Sequence, residues 1–96
     1  PAIVRQGDIT VAISTGGKSP ALARRLREEL QGYLTDEYAA LADVLGAVRT
    51  ELRSNGVNVD SETWQAGISE ELRELVRAQE LDKAKRWLKD FLVGSK

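Results

Sequence analysis

The sequence contains no cysteine, no histidine and no methionine. Without cysteine there is no disulfide framework and no thiolate nucleophile. Lacking histidine as well, the chain offers no Cys/His zinc site and no imidazole acid–base catalyst, and no metal-ligating residue is assigned. Aromatic residues are scarce, at 5% of the chain. No apolar run approaches the ~20 residues that a membrane-spanning helix needs. No signal-peptide pattern is present, and a soluble, cytoplasmic chain is expected. Neither sign of charge prevails: 14 Lys and Arg against 15 Asp and Glu leave a net charge of −1. That balance gives no global electrostatic case for a nucleic-acid or acidic-membrane partner.

What is present reads as a small globular protein. Of 96 residues, 42% are hydrophobic and 30% charged, enough apolar side chain to argue against disorder. With Pro1 first and no methionine, the sequence is expected to be a piece cut from a longer protein. A processed native start is the alternative.

Two textures meet near Lys18. Before it, Ile9, Val11 and Ile13 alternate with Asp8, Thr10, Ala12 and Ser14, the period-2 pattern of a strand with one buried face. Ala2 to Arg5 is expected to pair with that strand across Gln6-Gly7 as a short hairpin. A lone two-stranded hairpin is marginal in water, and its open edges favour another strand, from a missing segment or from a second copy of the chain.

After Lys18 the pattern is helical. Ser19 suits an N-cap and Pro20 the first helical position, with Leu22, Leu26 and Leu30, flanked by Ala23 and Tyr33, as the apolar stripe. Arg24 with Glu28, and Arg25 with Glu29, lie one turn apart for weak pairing. A second helix starts near Thr35, Asp36 and Glu37, buries Tyr38, Leu41, Leu45, Val48 and Leu52, and stops at Asn55-Gly56. Asp60 or Ser61 caps a third with Trp64, Ile68, Leu72 and Leu75 inward. After a break at Ala78 to Glu80, a fourth buries Leu81, Ala84, Leu88 and Phe91 and ends at Gly94. Trp64 and Trp87 read as core or interface anchors rather than stacking platforms. The expected fold is α+β: a short hairpin followed by four helices forming a small helical domain. The expected division is residues 1–34 as a dimerisation segment and 35–96 as a C-terminal helical domain.

One segment carries chemistry. Ser14, Thr15, Gly16, Gly17, Lys18 and Ser19 join the second strand to a helix N-terminus. Glycines let a ligand approach the backbone closely, and a helix start offers unpaired N–H donors and partial positive charge. Three hydroxyls and the Lys18 ammonium complete a candidate site for carboxylate or phosphate. Residues 1–34 are net +2 and residues 35–96 net −3, which favours a polyanion near the loop, although a solvated helix face explains the asymmetry equally well. On the residues alone, a plain strand–helix connection is the somewhat better account. A P-loop fails because Ala12 stands where its first glycine belongs, and no G-x-G-x-x-G turn is present. Adjacent acidic residues such as Glu70-Glu71 point about 100° apart on a helix and share no proton or metal.

The run from Gly7 to Leu30, with S-T-G-G-K-S-P at residues 14–20 followed by A-L-A-R-R-L-R, closely resembles the central segment of the siroheme synthase family. These are the precorrin-2 dehydrogenases, some of them also sirohydrochlorin ferrochelatases. The resemblance spans Pro1 to about Leu34; residues 35–96 look like the family's helical region in a generic way. It implies a parent with an upstream NAD-binding Rossmann domain, a middle segment through which two chains pair, and a carboxylate-rich tetrapyrrole held in a cleft beside that segment. The family's NAD loop and catalytic aspartate lie upstream of the position matched by Pro1, so neither role falls on a residue here, and Asp8 is not the catalytic acid. The resemblance therefore implies a homodimer through the strands and first helix, and substrate binding by Ser14 to Ser19. NAD is used by the parent but not held by this segment, and the segment alone is expected to be inactive. The alternative is a non-catalytic α+β dimerisation or protein-interaction module. A phosphate-binding regulatory module is disfavoured by the failed P-loop spacing.

Overall fold

The computed structural model describes residues 2–94. Two strands, β1 (Ala2–Gln6) and β2 (Ile9–Ile13), precede α1 (Pro20–Tyr33), α2 (Asp36–Ser54), α3 (Ser61–Gly67), α4 (Glu70–Arg77) and α5 (Leu81–Leu92). The class is α+β, as expected, but the described residues form five helices, not four. The described residues divide into two compact units between Ala40 and Leu41, inside α2.

In the first unit the strands pair antiparallel, with Val4 opposite Val11 and Gln6 opposite Ile9. The two-residue turn Gly7-Asp8 places Gly7 at φ 58°, as a hairpin turn with glycine first requires. The alternation predicted for Ile9, Val11 and Ile13 is present, and these residues share a face with Val4. Val4 alone in the hairpin is fully buried, while the β2 residues are half-buried. A β-carbon on Gly7 would stand 2.7 Å from that of Ala39, so the turn lies directly against the start of α2. Gln6 Nε2 donates to the Leu34 carbonyl (2.8 Å), tying the end of β1 to the end of α1.

Ser19 caps α1 with Pro20 behind it, its Oγ accepting from Leu22 N–H (3.0 Å). The helix packs on the hairpin, yet none of its residues is fully buried. Here the expected stripe fails. A four-residue step advances 400°, so Leu22, Leu26 and Leu30 drift about 80° around the helix. Leu26 and Leu30 stay half-buried, whereas Leu22 is 50% exposed and Tyr33 63% exposed. Tyr33 instead meets Tyr38, its hydroxyl accepting from that of Tyr38 (3.0 Å). Arg24 pairs with Glu28 at 3.4 Å; Arg25 and Glu29 form no pair among the described residues.

In the second unit α2 buries Leu41, Val44, Val48 and Leu52. Val44 takes the place expected for Leu45, which is only half-buried at the edge of that face. The expected third helix is two. Its apolar spacing runs on through Ile68, but Ser69 interrupts it by accepting from Leu72 N–H (3.2 Å) and starting α4. The buried face of α4 is then Leu72 and Val76, with Ile68 exposed and Trp64 and Leu75 half-buried. Gly67 closes the contact between α3 and α5: a β-carbon there would lie 2.9 Å from Leu88 Cδ1. In α5 the buried residues are Ala84, Leu88 and Leu92, and Phe91 turns outward to stack on Trp87 at 5.4 Å. Lys89 Nζ meets Glu51 Oε2 at 2.5 Å, joining α5 to α2. That hydrogen bond and charge hold the Lys89 ammonium above its ordinary value. Asp60 caps α3 through Thr63, whose hydrogen bonds hold the carboxyl below its usual range.

Candidate functional site

The β2–α1 corner is built by two successive glycines. Gly16 at φ 67° and Gly17 at φ 78° both occupy the left-handed region, which makes a tight reverse turn closed by Lys18 N–H donating to the Thr15 carbonyl (3.2 Å). Only glycine takes two such positions in a row without steric penalty. Thr15 then locks the helix entry. Its Oγ1 accepts from Ser19 N–H (3.0 Å) and donates to the Ser19 carbonyl (3.2 Å). Ser14 Oγ accepts from Gly16 N–H (3.2 Å).

These bonds decide what the corner has left to offer. The N–H groups of Gly16, Lys18, Ser19 and Leu22 are engaged internally: the three hydroxyls accept from Gly16, Ser19 and Leu22, and the Thr15 carbonyl accepts from Lys18. Pro20 has no N–H. Among the described residues, the Gly17 and Ala21 N–H groups remain without an acceptor. The Lys18 ammonium is exposed and forms no ion pair there either. The hydroxyls therefore shape the corner, and the free donors are two amides and one ammonium.

A groove of about 480 Å³ opens beside this corner. Ala2 and Ile13 line it from the hairpin, Ser14, Thr15 and Gly17 from the corner, and Pro20, Ala23, Arg24 and Arg27 from α1. Of the residues singled out in the sequence, Ser14, Thr15 and Gly17 meet on the groove, and Gly16, Lys18 and Ser19 stand off its lining. Sequence reasoning counted Arg24 and Arg27, with Arg25, only toward the basic excess of residues 1–34 and gave neither an individual site role. Their three-residue spacing, which puts both on one helix face, was the available signal. Arg27 is half-buried and donates to Gln31 Oε1 over 3.4 Å. Arg24 holds Glu28 only loosely, through an exposed pair of the kind that contributes little. Both guanidinium groups can turn to an incoming carboxylate, over a wall of Ile13, Pro20 and Ala23 that suits an apolar body.

Comparison with known proteins fits this geometry. The family described as "Sirohaem biosynthesis protein central" matches residues 6–33, which run from the last residue of β1 through the corner to the last residue of α1. The siroheme synthase of Tolumonas auensis is 35% identical over 95 residues, covering 96% of this chain and 20% of that protein. Siroheme synthase 2 of Aeromonas hydrophila is 34% identical over 99 residues, covering 100% of this chain and 21% of that protein. For the siroheme synthase of Ruthia magnifica the identity is 33%, over 99% of this chain. The chain thus carries the sirohaem biosynthesis central segment at residues 6–33, is similar to siroheme synthases over nearly its whole length, and spans about one fifth of the length of these relatives.

Proposed function

We propose that this chain is the subunit-pairing and tetrapyrrole-holding part of a siroheme-biosynthesis enzyme. The full-length parent oxidises precorrin-2 to sirohydrochlorin with NAD and, where it is also a chelatase, inserts iron. The observation that carries this reading is a coincidence of place: every lining residue of the basic, apolar-walled groove except Ala2 falls within the residues matched by the family. A groove of this size accommodates the edge of a macrocycle rather than the whole of it. Its acid side chains would meet Arg24, Arg27, Lys18 and the Gly17 and Ala21 N–H groups.

NAD does not fit the residues present. A dinucleotide sits on a parallel strand–helix–strand unit with a glycine-rich first turn, and the hairpin here is antiparallel. No step of hydride transfer is assigned to this chain, whose share is binding and orientation. Pairing of two chains is supported by the hairpin's open edges and by the apolar surface beside them, since Ile3 is 42% exposed and Leu22 50%.

The experiment is steady-state kinetics of a full-length parent carrying this segment. Arg27→Ala and Lys18→Ala should each raise KM for precorrin-2 by about 5–30-fold with kcat little changed, the loss of one charge-assisted contact worth about 1–2 kcal/mol. An unchanged KM in both would remove the groove's role. It would favour the second reading, a non-catalytic dimerisation or interaction module. That reading has one observation on its side, the internal engagement of the corner's hydroxyls.

A further inference from the structure

A second groove, of about 270 Å³, lies in the other unit where α2 hands over to α3. Arg49 and Arg53 line it from one face of α2, Val57, Asn58 and Val59 from the connection, and Trp64 from α3. Neither arginine forms an ion pair among the described residues, and no carboxylate lines the groove. Of the acids near its lining in sequence, Asp60 caps α3 and Glu51 holds Lys89, while Glu62 stands in the first turn of α3 outside the lining.

Two like charges one turn apart disfavour the helix slightly. The C-terminal dipole of α2 accounts for Arg53, which lies in the last turn, but not for Arg49. Nor does the helix end repel an anion strongly. Four of the carbonyls at that end are occupied: Thr50 accepts from Ser54 Oγ, Glu51 from Asn55 N–H, Leu52 from Val57 N–H and Arg53 from Gly56 N–H. Two unneutralised guanidinium forks beside a half-buried indole and two valines match one kind of ligand, a dianionic acid group on a flat apolar body.

We propose that the Arg49–Arg53–Trp64 groove binds a small phosphomonoester carrying a planar ring, of the nucleoside monophosphate class. The phosphate lies between the two guanidinium groups, the ring rests against Trp64 and the valines, and the Asn58 amide meets the polar edge. This site is separate from the β2–α1 groove and does not depend on the function proposed for it.

The test uses the 96-residue chain with Trp87→Phe, which leaves Trp64 as the only indole. It is titrated with adenosine 5′-monophosphate, with inorganic phosphate and with adenosine, reading emission excited at the red edge of the indole band. The monophosphate should give a saturable change with a dissociation constant on the order of 1 mM or tighter. Phosphate and adenosine should each bind at least about tenfold more weakly, and Arg49→Ala/Arg53→Ala should weaken the monophosphate by a similar factor with an unaltered far-ultraviolet spectrum. Three results overturn the proposal: no saturable change, full affinity in the double variant, or phosphate binding as well as the nucleotide.

Discussion

Replacing Thr15 by valine removes a hydroxyl while keeping the side chain's shape. In the structure that hydroxyl accepts from Ser19 N–H at 3.0 Å and donates to the Ser19 carbonyl at 3.2 Å. The carbonyl keeps a partner, because Ala23 N–H also donates to it. The Ser19 N–H does not, and it is left part-buried at the mouth of α1. Losing the net worth of one or two hydrogen bonds and stranding one donor should cost about 1–2 kcal/mol. For a chain of this size that is roughly 5–10 °C in melting temperature. Thr15→Ser, which keeps the hydroxyl, should retain most of the stability. Urea and thermal melts of the three proteins measure this directly. A valine variant as stable as the parent would refute the assignment of Thr15 as the pin that holds strand to helix.

Four further outcomes follow from particular contacts. Gly7→Ala meets both a positive φ and a 2.7 Å approach to Ala39 Cβ, and should destabilise by about 2–4 kcal/mol in a denaturant melt. Gly46→Ala, in α2 with nothing within 4 Å of the new methyl, should stabilise by about 0.5–1 kcal/mol; a loss there would contradict the helix. The Asp60 cap has a folded pKa below the ordinary 3.8, so its contribution is present above that value and lost as pH falls through the folded one. Asp60→Asn, still able to cap, should flatten the acid limb of the stability profile. Lys89 is the reverse case: with its pKa raised above 10.5, its contribution is complete below 10.5 and lost as pH rises past the folded value. Glu51→Gln should remove that alkaline loss.

The hairpin and the helix starts were legible because their signals are local. Alternation at Ile9, Val11 and Ile13, glycine in the turn, and Ser19 before Pro20 each act within a few residues. The split between α3 and α4 was hidden because Trp64, Ile68, Leu72 and Leu75 keep helical spacing through Ser69, so periodicity outvoted a cap. The buried face of α1 was misread because a fourfold step drifts around the cylinder, and only packing against the strands decides where it comes to rest. The corner's place between strand and helix was legible, whereas the bonds from its hydroxyls to its own backbone were not, because they depend on the turn that Gly16 and Gly17 make. The spacing of Arg24 and Arg27 puts them on one helix face, but that this face borders the groove depends on how α1 packs on the hairpin, which no local pattern encodes.

The account turns on whether the donors left free at the corner receive acid groups. An isotope-labelled sample of the chain titrated with uroporphyrin, a polycarboxylated tetrapyrrole, tests this through the amide signals of Gly17 and Ala21 and the side-chain signals of Arg24 and Arg27. Saturable shifts at these four positions, with those of the Gly17 and Ala21 amides lost on Arg24→Ala/Arg27→Ala, are the predicted result. Unmoved Gly17 and Ala21 amides at ligand saturation, or no binding, would contradict it.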